Sequence, residues 1–178
     1  MAGGPKEQLI IEALPGYEPG IGRWLWALED ARRRTKNALK DSPAAVADWT
    51  APDGGNSLGT LLYHIAAIEI DWLCADVMER TCAPEVWELF PYEVRDDLGR
   101  LIPVQGLSLD EHLKRLDTVR RIVLDAFRGM TLAEFHRPRH FEKYDVTPEW
   151  VLHHLLQHEA EHRGEMAVVR VRAENALR

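Results

Sequence analysis

Residues 147–170 read TPEWVLHHLLQHEAEHRGEMAVVR. Thr147 offers a side-chain oxygen to a free N–H of a first helical turn, and Pro148 sits where its missing N–H costs nothing. Glu149 then faces the positive end of the helix dipole. Val151, Leu155, Met166 and Val169 fall on one side at helical spacing, so the pattern predicts a helix from 148 to about 173. Four of the eight histidines lie within 153–162. Positions four apart on a helix differ by only ~40° in direction, so His154, His158 and His162 form one stripe on the apolar side. His153 points elsewhere and reads as a surface or interfacial residue.

Working outward, three more long helical patterns precede this one. The first spans roughly 21–40, with Trp24, Leu25, Leu28, Ala31, Thr35 and Leu39 in register, and Ser42-Pro43 stops it. The second is capped at Asn56 or Ser57 after the turn-rich APDGGNS and runs to about Arg80. Leu61, Ile65, Ile68 and Trp72 make its apolar stripe, with His64 beside them. The third opens on Ser108-Leu109-Asp110-Glu111, a capping box, and Gly129 ends it. Between the second and third lies a long connection over 81–107, with a short helix expected around 84–90 and the character of a lid or crossover. Residues 130–146 read as polar and irregular. Residues 1–19 also read as irregular, with a short helical turn around 6–13. No set of alternating strands stands out, so the fold class is all-α, a four-helix bundle, in one domain over 1–178.

The bulk numbers fit this reading. With 178 residues the chain is long enough for one sizeable core. A net charge of −7 argues against a nucleic-acid partner. Cys74 and Cys82 are too few for a disulfide framework and read as reduced thiols of a cytosolic protein. No apolar run looks long enough to span a bilayer, and the N-terminus lacks the layout of a signal peptide. The expectation is a cytoplasmic protein without a membrane partner.

Histidine is a costly choice for an apolar face. A buried imidazole nitrogen without a partner costs about 1–3 kcal/mol. One shared divalent cation removes that cost for several rings at once, because neutral imidazole is a good metal donor. His158 and His162, one turn apart, can chelate one ion, and His64 on the core side of the second helix is the natural third ligand. Three protein ligands leave coordination open for water or substrate, as a catalytic site requires. His154 is a pocket-wall residue, an outer partner or a fourth ligand. Zinc or nickel suits such a donor set first, with iron or copper also compatible.

With these residues in place, the chain resembles the DinB/YfiT-like metalloenzyme superfamily. The resemblance rests on SLGTLLYHIAAIEIDWL at 57–73, with Glu69 and Trp72 after the histidine, and on the Thr-Pro start, histidine pair and Arg163-Gly164 of 147–170. DWTAP at 48–52 also fits. Where relatives often carry glutamine after Arg-Gly, this chain has Glu165. The resemblance implies a four-helix bundle, a metal held by His64, His158 and His162, and often a homodimer. It also implies small-molecule chemistry that includes S-transfer and isomerisation with low-molecular-weight thiols such as bacillithiol or mycothiol.

Rival readings start from the same stretch. HEAEH at 158–162 matches the zinc-protease pattern with Glu159 as general base, yet Glu165 and Val168 stand where the metzincin extension needs glycine and histidine. A di-iron carboxylate bundle would use Glu159-x-x-His162, but the second helix has Trp72 three places after Glu69, and the first offers only Glu29. A non-catalytic metal-binding or ligand-sensing bundle is the alternative from another class, decided by whether an open pocket reaches the metal. Elsewhere, Arg32-Arg33-Arg34, Asp96-Asp97 and Asp71 read as solvated charges. Arg137, Arg139 and His140 read as a solvated loop or an anion-attracting cluster. Trp87 is a candidate pocket wall.

Overall fold

The computed structural model describes residue 6 and residues 8–178, so part of the irregular N-terminal segment lies outside the described residues. The short helical turn expected there does not form over 8–13. Helix α1 (Pro19–Leu39) starts two residues before the expected position. Pro19 fills its first position, and the Glu18 carboxylate accepts from the Gly20 and Ile21 N–H groups at 2.7 and 3.3 Å.

Helix α2 (Leu58–Trp72) is capped by Ser57, whose Oγ accepts from the Thr60 N–H at 3.1 Å. It continues as a π-helical turn, Leu73–Val77, and ends before Arg80, because Glu79 adopts a positive φ of 52°. Leu58–Val77 is in fact long and apolar enough by composition to cross a membrane, contrary to the expectation from sequence, but most of it is buried inside the bundle. It is apolar nearly all round because helices pack on several of its sides.

The long connection carries the short helix α3 (Pro84–Trp87). Helix α4 (Leu109–Phe127) begins with the expected capping box between Ser108 and Glu111, and the positive φ of Gly129 (80°) turns the chain away after it. Residues 130–146 are more ordered than their polarity implies. They form the short helix α5 (Leu132–Phe135) and a small antiparallel hairpin of β1 (Arg139–His140) and β2 (Asp145–Val146). Helix α6 (Pro148–Ala176) is capped by Thr147 as its sequence predicts.

The four long helices make an all-α bundle, with α1 along α6, α6 against α2, α2 against α4, and a lighter contact from α4 back to α1. Leu25, Leu28, Leu61, Leu62, Leu116, Val119, Leu152 and Leu155 are among its core residues. Helices α2 and α4 meet closely at Gly59: a Cβ there would stand 2.8 Å from the Nε2 of the buried His112. The expectation of reduced thiols at Cys74 and Cys82 is overturned: neither is free. Cys74 and Cys82, with Cα atoms 5.4 Å apart, form a disulfide that ties the end of α2 to the loop leading into α3.

At the bundle centre, each of the four long helices contributes one charged side chain to a closed ring. Arg32 of α1 donates to Glu69 Oε2 of α2 at 2.6 Å and to Glu159 Oε1 of α6 at 2.9 Å. Arg120 of α4 donates to Glu69 Oε1 at 2.5 Å and to Glu159 Oε2 at 3.1 Å. The remaining guanidinium N–H groups reach the Leu116 carbonyl from Arg32, and the Leu28 carbonyl and Glu29 from Arg120. All four ring members are buried. Burial alone would raise the Glu69 carboxyl, but the Arg120 and Arg32 guanidiniums outweigh it and hold the group below the usual carboxylate range. Arg32 is therefore not solvated; only its neighbours Arg33 and Arg34 face outward, where they pair with Asp30.

Removing one partner of such a ring leaves uncompensated charge in the core, a loss of about 3–5 kcal/mol. Arg120→Met is expected to lower unfolding free energy by about that amount in a urea titration. Replacing all four charges together with apolar residues of similar volume is expected to cost far less, and equal losses in the two variants would contradict a balanced ring.

Candidate metal centre

His64 lies on α2, and His158 and His162 lie one turn apart on α6. The α2–α6 packing brings the three rings together. The His64 and His158 Nε2 atoms are 3.1 Å apart. Ring centroids are separated by 4.9 Å for His64–His158, 5.1 Å for His64–His162 and 4.5 Å for His158–His162. One nitrogen from each ring lies within 4.8 Å of the other two. Two nitrogens bound to one zinc at about 2.0–2.1 Å stand about 3.3 Å apart at a tetrahedral angle. The His64–His158 spacing is close to that, and these three residues could hold one ion.

Charge state and orientation point the same way. Burial first, then the neighbouring His162 and Arg95, lower the His64 pKa to about 4. Burial, His162 and His64 lower that of His158 to about 3. Both rings are thus neutral at pH 7, the form that donates to a metal. His162 Nδ1 lies 3.1 Å from Glu165 Oε2, and Glu165 Oε1 accepts from Asn56 Nδ2 at 3.3 Å. A carboxylate on Nδ1 fixes the proton there and leaves Nε2 as the free donor. The glutamate that departs from the usual glutamine therefore touches the cluster directly.

His64 and His162 line a cleft of about 650 Å³, together with Asn56, Arg95, Leu101 and Pro103. The long connection supplies much of its wall. Arg95 Nη2 reaches to 3.4 Å from His64 Nε2.

Other candidates fall elsewhere. His154 stacks on Trp150 at 5.1 Å and packs beside Trp72, and it lies outside the three-ring cluster. His153 is exposed and meets Trp24 edge-on. Glu159 is neither solvated nor free to act as a base beside its neighbouring histidine, because both its oxygens accept from buried arginines. This removes the protease reading of HEAEH. It also removes the di-iron reading, since Glu69 and Glu159 are both matched to guanidiniums. Arg139 is a buried structural residue rather than part of an anion-attracting loop, donating to Glu134 and to the Val77 carbonyl. Arg137 pairs with Glu134 and Glu79, and His140 with Asp145. Trp87 lines a second hollow on the far side of Arg95.

A helical bundle with three convergent histidines on its second and last long helices defines the class. A family model of the DinB superfamily matches residues 27–166, and the chain belongs to that superfamily. It is also 28% identical, over 116 residues, to a protein named "Uncharacterized protein YkkA" from Bacillus subtilis (strain 168). That match spans 65% of this chain and 65% of the relative's length.

The lowered histidine pKa values set a pH dependence for the metal-free chain. His64 and the buried His112 fall to about 4, against 6.5 for a free histidine. Between those values the unfolded chain binds more protons than the folded one, so stability falls as pH falls. With chelator present, urea unfolding is expected to show a steady loss of stability from pH 7 to 4.5; a flat profile would contradict neutral buried rings.

Proposed function

We propose that the chain is a metal-dependent enzyme in which His64, His158 and His162 hold one divalent ion, zinc or nickel first, at the base of an open cleft. The observation that carries this reading is the meeting of three imidazoles, two of them held neutral by burial, with His64 and His162 open to a cleft that also presents Asn56, Arg95 and Arg100. A cleft that reaches the histidines and carries a few polar groups favours a reacting small molecule over a sealed structural ion. Bound there, the ion supplies a Lewis-acid charge that lowers the pKa of a coordinated thiol or water. The protein's own part is to keep His64 and His158 unprotonated and to aim His162 through Glu165.

Transfer of a low-molecular-weight thiol to an electrophilic small molecule is the reaction this reading places first, with hydrolysis second. Cytoplasmic location and a homodimer belong to the same proposal. The Cys74–Cys82 bond bears on the first, since a reducing compartment would open it. A non-catalytic metal-binding or ligand-sensing bundle would use the same three histidines and differ in showing no turnover.

Elemental analysis of purified protein tests the site. About one divalent ion per chain is expected in the wild type, with most of it lost in His158→Ala. Glu165→Ala is expected to weaken metal binding by about 10–100-fold, as loss of an orienting carboxylate does. Equal metal content in all three would contradict the assignment. A panel of thiols with electrophiles then tests transfer, where chelator-sensitive turnover is expected, and bound metal without turnover would favour the sensing alternative.

A further inference from the structure

Arg95 occupies an odd position for a metal site. It opens a tight turn closed by the Arg95–Leu101 bridge, and its Nη1 donates to the Gly99 carbonyl at 2.6 Å. Its Nη2 stands 3.4 Å from the nitrogen of His64 that faces His158. A guanidinium has no acceptor to offer a metal, and its charge repels one. The next arginine in the turn is already neutralised: Asp96 takes the Arg100 side chain at 2.8 Å and the Leu98 and Arg100 N–H groups at 3.0 and 2.9 Å. Among the described residues, no carboxylate pairs with Arg95. A cation filling the three-histidine site would take the His64 lone pair and so leave the Arg95 Nη2 without an acceptor. An anion seated between the two satisfies both.

The surroundings say what the anion carries. Arg95 belongs to the walls of two hollows, the histidine cleft and a neighbouring one of about 610 Å³. The second is lined by Trp87, Phe90, Tyr92 and Ile68, with Trp87 and Tyr92 about 42% and 43% exposed. His64, Ile68 and Asp71 recur at helical spacing on α2, so one helix face runs from the cluster into the aromatic hollow. Asp71 and Glu93 line the same hollow and reject a second negative charge there. Resting on the metal-site reading above, we infer that the cleft takes an organic monoanion, a carboxylate with an aromatic or aliphatic body. Its head group pairs with Arg95 beside the histidine cluster, and its body lies against Trp87, Phe90 and Tyr92.

Calorimetric titration of the zinc-loaded full chain with phenylacetate tests this, with phenylacetamide, acetate and 1,4-phenylenediacetate as comparisons. Phenylacetate is expected to bind at least about tenfold more tightly than its neutral amide or than acetate, as a charge-assisted bond and an aromatic contact together provide. The dicarboxylate is expected to bind more weakly than phenylacetate. Arg95→Ala is expected to erase the preference for phenylacetate over the amide while zinc content stays at the wild-type level, and Arg95→Lys to restore part of it. Trp87→Ala is expected to close the gap between phenylacetate and acetate. If Arg95 only braced its turn, its loss would weaken the acid and the amide alike, which overturns the inference. Bound zinc with phenylacetate affinity independent of Arg95 also overturns it, and it alone. A wild-type chain that takes up no zinc overturns the metal-site reading, and this inference with it.

Discussion

Two arginines and two glutamates, one from each long helix, meet in the dry centre of the bundle, and the position of everything else follows from that ring. Its members carry equal numbers of opposite charges, and every guanidinium nitrogen has an acceptor. Such a ring contributes little net stability compared with an apolar core, since desolvation offsets most of the attraction. What it enforces is arrangement. A slide or rotation of one helix against the others strands a buried charge at a cost of several kcal/mol. Helices α2 and α6 are therefore fixed relative to each other by Glu69 and Glu159, which bind the same two arginines.

The histidine cluster inherits its precision from that constraint. His158 is adjacent to Glu159 in the chain, and His64 precedes Glu69 by five positions on the same helix. With the carboxylates clamped, the imidazoles of the same two helices are presented toward one another. Acidic residues meet arginines, histidines meet each other, and the short HEAEH stretch serves both without serving as a protease motif.

The fold was legible in the sequence because its signals are local. Thr147-Pro148, Ser57 and the Ser108–Glu111 box each mark a helix start through one hydrogen bond, and apolar spacing does the rest. The three histidines were legible because imidazoles on an apolar stripe need a partner. The same logic applies to the ring. Arg32 sits in register with Leu28 and Thr35, Arg120 with Leu116 and Val123, Glu69 with Ile65, and Glu159 with Leu155. Each charged residue lies on its helix's buried stripe, and four such misfits with opposite signs were the signal. By contrast, the role of Arg95, the disulfide and the folding of 130–146 depend on how a long connection returns to the bundle. No local spacing encodes those contacts.

The central claim is that imidazoles from α2 and α6 converge on one cation while the cleft keeps its coordination open. X-ray absorption at the metal edge of the zinc-loaded protein tests it most directly. Three imidazole nitrogens at about 2.0–2.1 Å and at least one further light-atom ligand from outside the chain are expected. A spectrum showing sulfur ligands from the chain, a carboxylate pair, or fewer than three imidazoles would contradict it.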